Sequence, residues 1–271
     1  MRKDAEPPDP EARLMPASDK GWFNSVAIDY ARCRPRYPDA FFAWMADQAS
    51  ALDCCWDAAC GSGQASIGLS RWFDRVEATD LSPEQIAAAD QHPRIRYRQG
   101  AAEQSHLSSN SVDAVLIAAA IHWLDVEQFN REVRRVLRPG GLLVWLGYEP
   151  IRDAPEELQA WLNSLYHERL NPFWPPERIH VDACYADLEF PGCDQPLPQG
   201  LKITEHWTQN DLLGFISTWS ALRNASQQVD DNDQARFLIN NLSHELKQVW
   251  PQDSDQLTLH LPLMGRWGVL P

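Results

Sequence analysis

Residues Cys54 to Gln64 read CCWDAACGSGQ, a short apolar run broken by one aspartate and passing into small residues with glycines at 61 and 63. Cys54 to Ala58 has the length and composition of a buried strand, and Gln64 begins a helical pattern. Glycines in the turn between them let the backbone approach a bound group closely, and the helix start behind them presents unpaired amides. Glycine turns between strand and helix also arise for packing alone, so the stretch needs its neighbours to be read.

Working outward, short apolar or β-branched runs alternate with helical patterns, as in a parallel sheet wrapped by helices. The spacing predicts strands at Val76 to Asp80, Ile95 to Gln99, Val112 to Ala118 and Leu142 to Gly147. Ser82, Pro83 and Gln85 form a capped helix start, and Asp125 precedes Phe129, Val133, Val136 and Leu137 at helical spacing. Arg138 to Gly141 is expected to break that helix. Upstream, Pro38 suits a first helical turn, with Phe41, Phe42, Met45, Ala49 and Leu52 as the apolar stripe. Downstream, Leu201 to Thr208 reads as a strand, Asp211 as the cap of a helix through Leu222, Asp233 to Val249 as another helix, and Leu257 to Val269 as a closing strand. The expected fold is α/β: a Rossmann-like, seven-stranded, mostly parallel sheet with helices on both faces and an inserted helical cap in the C-terminal half. Residues 1–20 read as a disordered tail, 21–150 as the core with an N-terminal lid helix, and 151–271 as the rest of the same domain, with cap insertions and closing strands. The varied stretch Asn171 to Pro198 is too long for a simple connection and reads as a lid or site wall.

A formal net charge of -14 argues against nucleic-acid and anionic-membrane partners, which need a broad basic surface. The N-terminus lacks the apolar core of a signal peptide, and no later run has the length of a membrane span, which places the protein in the cytoplasm as an expectation. The six cysteines form no C-x-x-C pair, so neither a zinc site nor a disulfide framework is expected. Against this acidity, YARCRPRYP at residues 30–38 concentrates Arg32, Arg34 and Arg36. Either they pair with acids such as Asp29 and Asp39, or they form a local pocket for a small anion, whose carboxylate suits a guanidinium fork. Arg94, Arg96 and Arg98 alternate on the third predicted strand, as charge protecting an edge strand does.

Asp80, about twenty residues after the glycine turn, ends the second strand where a carboxylate can accept both hydroxyls of a ribose. A nicotinamide enzyme would share that acid, but the third glycine of its fingerprint is Ser66 here, and no diphosphate cradle is evident. The ordered blocks DAACGSG (57–63), ATDLSPEQI (78–86), GAAE (100–103), SVDAVLIAAAIHWLD (111–125) and RVLRPGG (135–141) resemble those of the class I methyltransferases. That resemblance implies S-adenosyl-L-methionine as cofactor. It implies Asp57, Gly61 and Gly63 at the methionine end, Asp80 on the ribose, Leu81 and Ala102 flanking the adenine and Glu103 near its amino edge. Tyr30, Ala59, Gln85, Ala119 and Trp123 complete the implied cofactor set, with Ala59 standing where the family has its first glycine.

A narrower resemblance, to the trans-aconitate methyltransferase group, rests on YARCRPRYP, IHWLD, NPFWPPER, TWSALR (218–223) and LTLHLPLMGRWGVL. It implies monomethylation of one carboxylate of a small polycarboxylic acid, without a metal. Arg34, Tyr37 and His122 are then the candidate catalytic residues, with Arg34 and Arg223 as substrate ligands and His180 as a further anion candidate. For His122 the roles of base, hydrogen-bonding partner and structural histidine all stay open, because an ionised carboxylate needs no proton removed. The alternatives are a nicotinamide-dependent oxidoreductase and a non-catalytic S-adenosylmethionine-binding protein.

Overall fold

The structure, a computed structural model, describes residues 33–230 and 232–271. The expected tail, Tyr30 and Arg32 lie outside the described residues. Strand β1 (Cys54–Ala58) is buried at every position, as a central parallel strand covered on both faces must be. It is flanked by β2 (Arg75–Asp80) and β4 (Val112–Ala118), with β3 (Ile95–Gln99) outside β2 and β5 (Leu137–Tyr148) outside β4, all parallel. The closing strand β8 (Leu257–Val269) runs antiparallel to β5 from Leu142↔Val269 to Tyr148↔Leu263. Its beginning pairs with β7 (Lys202–Trp207), and a two-residue strand β6 (Gln195–Pro196) pairs with Trp267 and Arg266. Among the described residues the sheet therefore has eight strands, ordered β3-β2-β1-β4-β5-β8-β6, with β7 also on β8. The eighth is the short β6, too brief for any periodicity to show.

Alternation of side chains divides the core by faces. Cys55, Ala114, Leu116, Leu142, Val144 and Leu146 point to one side, where they meet Phe41, Phe42 and Met45 of α1 (Asp39–Gln48) and Leu69 of α2 (Gln64–Leu69). Trp56, Val115, Ile117, Leu143 and Trp145 point to the other, against Phe129, Val133 and Val136 of α4 (Val126–Val136). Short α3 (Pro83–Ala87) begins at Ser82, whose side chain accepts from Gln85 N, as the sequence suggested. Asp125 likewise caps α4.

Four expectations change. Pro38 is the N-cap of α1, with extended backbone, so the helix starts at Asp39 and ends before Leu52, which is exposed. Strand β5 begins at Leu137, not Leu142: Leu137 pairs with Val112, and a register shift before Ala114 absorbs the Arg-Pro-Gly-Gly stretch. Gly141 is required there, since a Cβ would lie 2.8 Å from Arg138 O. Asp211 is not a cap; Thr208 caps α7 (Gln209–Ser217), and Asp211 is its reciprocal partner, accepting from Thr208 N at 2.8 Å. The helix stops at Ser217, and α8 (Ser220–Ser226) follows as a separate element.

The cap comprises α5 (Glu156–Ser164) and α6 (Arg178–Asp182) between β5 and β6, then α7, α8 and α9 (Asp233–Val249) between β7 and β8. Its two parts are tied by Arg169 to Glu245 (2.6 Å) and by Asn224 Nδ2 to Phe173 O (2.9 Å). Among the described residues no helix is long and apolar enough to cross a membrane.

Candidate active site

The carboxyl ends of β1, β2, β4 and β5 carry the loops where open parallel sheets hold ligands. After β1 the chain turns through Ala59 (φ 53°), Gly61 (φ 55°) and Gly63 (φ 80°). The Asp80 carboxylate ties this turn to α3, accepting from Gly61 N (2.8 Å) and Ser82 N (2.9 Å). A cavity of about 240 Å³ lies against the turn, lined by Asp57, Ala59, Gly61, Gln85, Tyr37 and Arg34, among others.

Asp57 is fully buried. Its Oδ2 accepts from Ser66 Oγ at 2.5 Å, while Oδ1 has no partner among the described residues. Burial pushes its carboxyl up to about 7, aided by the Asp80 charge and opposed by the Ser66 hydrogen bond. A buried carboxylate oxygen without a donor, on a cavity wall beside a glycine, suits a cationic ligand group such as an amino-acid ammonium.

The sequence-derived cofactor set divides here. Asp57, Ala59, Gly61, Gln85, Ala119 and Trp123 line this cavity. Asp80 stands behind the turn, Leu81 is 63% exposed beyond it, Ala102 is buried, and Glu103 Oε1 accepts from Asp125 N at 3.2 Å. Gly63 does not line it: a Cβ there would lie 2.2 Å from Tyr97 Oη, so this glycine makes room for a tyrosine of β3.

A second cavity, of about 290 Å³, adjoins the first and shares Arg34, Ala119, Trp123 and Tyr148 with it. Arg34 is half-buried at that junction, donating to Tyr148 Oη (2.9 Å) and Thr218 O (3.2 Å). His122, Arg178, Tyr185 and Arg223 line the second cavity. His122 packs against Trp123 and stacks over Tyr185, and its Nδ1 is buried without a partner among the described residues. Burial, then the charges of Arg178, His180 and Arg34, lower its imidazole to about 4, so it is neutral at physiological pH. Burial raises the Tyr37 phenol well above its ordinary value, with Tyr148 and Tyr185 adding to it.

Arg36 is exposed and its backbone amide donates to Glu205 Oε1, away from either cavity lining. Arg96 and Arg98 both reach Glu77, at 3.7 and 4.0 Å, on the edge strand. His180 pairs with Asp187 (2.7 Å) and is not in the lining. The sequence reading missed Tyr148, Arg178, Tyr185 and Tyr97. Arg178 ends the block NPFWPPER, and this was its one sequence signal.

A glycine turn, a carboxylate behind it and two joined cavities at the switch of a parallel sheet form an arrangement that can hold a nucleoside cofactor beside a second molecule. A methyltransferase domain family matches residues 56–145. A protein of Dictyostelium discoideum assigned as a methyltransferase is 30% identical over 201 residues, covering 73% of this chain and 76% of that one. A solved structure from Anaeromyxobacter dehalogenans, described as a type II methyltransferase, is 37% identical, covers 88% of this chain and 99% of that one, and superposes with a TM-score of 0.75. A malonyl-[acyl-carrier protein] O-methyltransferase of Pectobacterium atrosepticum is 33% identical over 132 residues, 47% of this chain and 51% of that one. The chain belongs to the class I S-adenosylmethionine-dependent methyltransferases, and its cofactor is S-adenosylmethionine.

Proposed function

We propose that this methyltransferase acts on a carboxylate oxygen of a small acid, as in the trans-aconitate group its sequence resembles. The observation that carries this reading is the second cavity: among the described residues three arginines, Arg34, Arg178 and Arg223, line it in a chain of net charge -14. An ionised carboxylate needs no base, and the one imidazole in the lining is too acidic to serve as one near neutrality. The malonyl-[acyl-carrier protein] enzyme, by its name an O-methyltransferase, is a distant relative with compatible chemistry.

On this reading the chemistry supplied by the bound cofactor is an electrophilic methyl group. Asp57 Oδ1 takes the ammonium of its amino-acid end, Asp80 the ribose hydroxyls, and Leu81, Ala102 and Glu103 the adenine. Arg34, fixed by Tyr148 and Thr218, holds the acceptor carboxylate at the boundary of the two cavities. Tyr37 and the half-exposed Trp123 line the transfer chamber, and neutral His122 offers a hydrogen bond rather than proton removal. Holding donor and acceptor in line is the protein's main contribution, worth on the order of 7 to 11 kcal/mol in favourable cases. Incubation with S-adenosylmethionine and a panel of mono-, di- and tricarboxylates, followed by mass spectrometry, tests it. A base-labile product heavier by one methyl is expected. Methylation confined to amines or thiols would overturn the reading.

A further inference from the structure

The acceptor cavity contains one cation arranged unlike the other two. Arg178 opens α6, and its guanidinium carbon lies 4.8 Å from the ring centroid of Tyr166 and 4.8 Å from that of Trp174. The two rings are themselves fastened, Trp174 Nε1 donating to Tyr166 O at 3.0 Å. Arg178 Nε donates to Asp182 Oδ1 (3.1 Å), and the arginine side chain is only 20% exposed against 54% for that aspartate. Its two terminal nitrogens have no hydrogen-bond partner among the described residues. A guanidinium held by stacking and by its Nε alone presents its fork free and oriented, the geometry that reads a carboxylate.

Two further orphan groups line the same cavity. Tyr185 Oη is fully buried and has no hydrogen-bond partner among the described residues, and neither has His122 Nδ1. Tyr185 and the preceding Cys184 both hold left-handed backbone, φ 62° and 52°, a local strain that the fold sustains at this wall. Buried polar atoms are normally paired, so orphans gathered on one cavity mark a place for a polar ligand group.

We propose that Arg178, with Tyr185 beside it, is the specificity-determining subsite for a second anionic group on the acceptor, remote from the carboxylate that is methylated. Its remoteness from the reacting group rests on the function proposed above. Arg34 lines both cavities, the position of the reacting end, and one N–H on each of its terminal nitrogens is engaged, by Tyr148 Oη and Thr218 O, which fixes its orientation. Arg178 lines the acceptor cavity and not the other. Arg223 is exposed, where solvent screens its charge.

Trp123, Trp174 and Trp219 line this cavity, so intrinsic fluorescence reports its occupancy without turnover. The full chain, saturated with S-adenosylhomocysteine, is titrated with C4 to C6 dicarboxylates, tricarballylate and monocarboxylates of matching length. Wild type is expected to bind its best dianion at least tenfold more tightly than the matching monoanion. In R178M that ratio falls to within about twofold of unity, with monoanion affinity unchanged, and in R178K part of it survives. R178Q, polar but neutral, repeats the measurement if R178M does not fold. A preference that persists without the guanidinium overturns the assignment, as does a wild type indifferent to the second charge. An Arg178-dependent preference with no acid methylated supports the subsite and instead overturns the carboxylate acceptor.

Discussion

Ala59 holds φ 53° where an L-residue is strained and a glycine is not, next to the cofactor cavity. A59G is therefore expected to stabilise the protein by about 1 kcal/mol, read as a rise of about 2 °C in melting temperature. A fall would mean that the methyl group packs usefully. At Gly63 the argument reverses, because the left-handed backbone and Tyr97 both forbid a side chain. G63A should lose at least 2 kcal/mol, whereas Y97F, which removes a buried hydroxyl that makes no well-formed hydrogen bond among the described residues, should be nearly neutral by chemical denaturation. Asp57 and His122 give opposite pH signatures. The Asp57 carboxyl titrates near 7 in the folded state and near 4 when unfolded, so its ionisation destabilises the fold progressively as pH rises from about 4 to about 7. D57N should accordingly gain stability relative to wild type across that window and keep the gain above it, while binding S-adenosylmethionine more weakly. For His122, neutral when folded down to about 4 but charged below about 6.5 when unfolded, stability is lost as pH falls from 6.5 to 4. H122N should gain on wild type over that acid range. Melts of all three proteins at each pH separate the two groups, and parallel curves would contradict both assignments.

Among the elements, α7 shows how a local rule can be read one turn out of place. Asp211 attracts attention as a cap, yet Thr208 is the residue with extended backbone, and the two side chains satisfy each other's amides. T208A should cost about 1 kcal/mol. Because the pair acts as one unit, T208A/D211A should cost less than the sum of the single changes, in a double-mutant cycle. Strands β1, β3 and β4 and helix α9 occupy the residues that periodicity assigns: β1 and β4 are buried along almost their whole length, β3 alternates arginines with Ile95 and Tyr97, and α9 repeats its apolar face over 17 residues. The start of β5 was not legible: Leu137 follows α4 without a gap, and pairing with Val112 carries the strand through residues that by themselves read as a turn.

Across the whole molecule, the acceptor wall depends on a residue far from it in sequence. Arg266 of β8 donates through Nη1 to Tyr185 O (2.9 Å) and Leu188 O (2.6 Å), and through Nε to Asp194 (2.5 Å). R266M, which keeps bulk but no donors, should destabilise by roughly 2 to 4 kcal/mol. It should also loosen acceptor binding without changing affinity for S-adenosylhomocysteine, as titration calorimetry can measure, since β8 contributes nothing to the lining of the cofactor cavity. By itself the chain's sequence determined the parallel sheet, the glycine turn and the placing of Asp80 at a strand end, because short-range periodicity and backbone dihedral preferences encode them locally, while Asp57 and the cofactor class were legible only through the resemblance of its ordered motifs to the class I methyltransferases. Only the tertiary structure decided that Gly63 serves Tyr97, that Arg34 meets Tyr148 and Thr218 across 114 and 184 residues, and that Arg178 and Tyr185 share a cavity with His122. Those juxtapositions arise when β8 closes the sheet and the cap folds over its carboxyl edge, so no local pattern carries them.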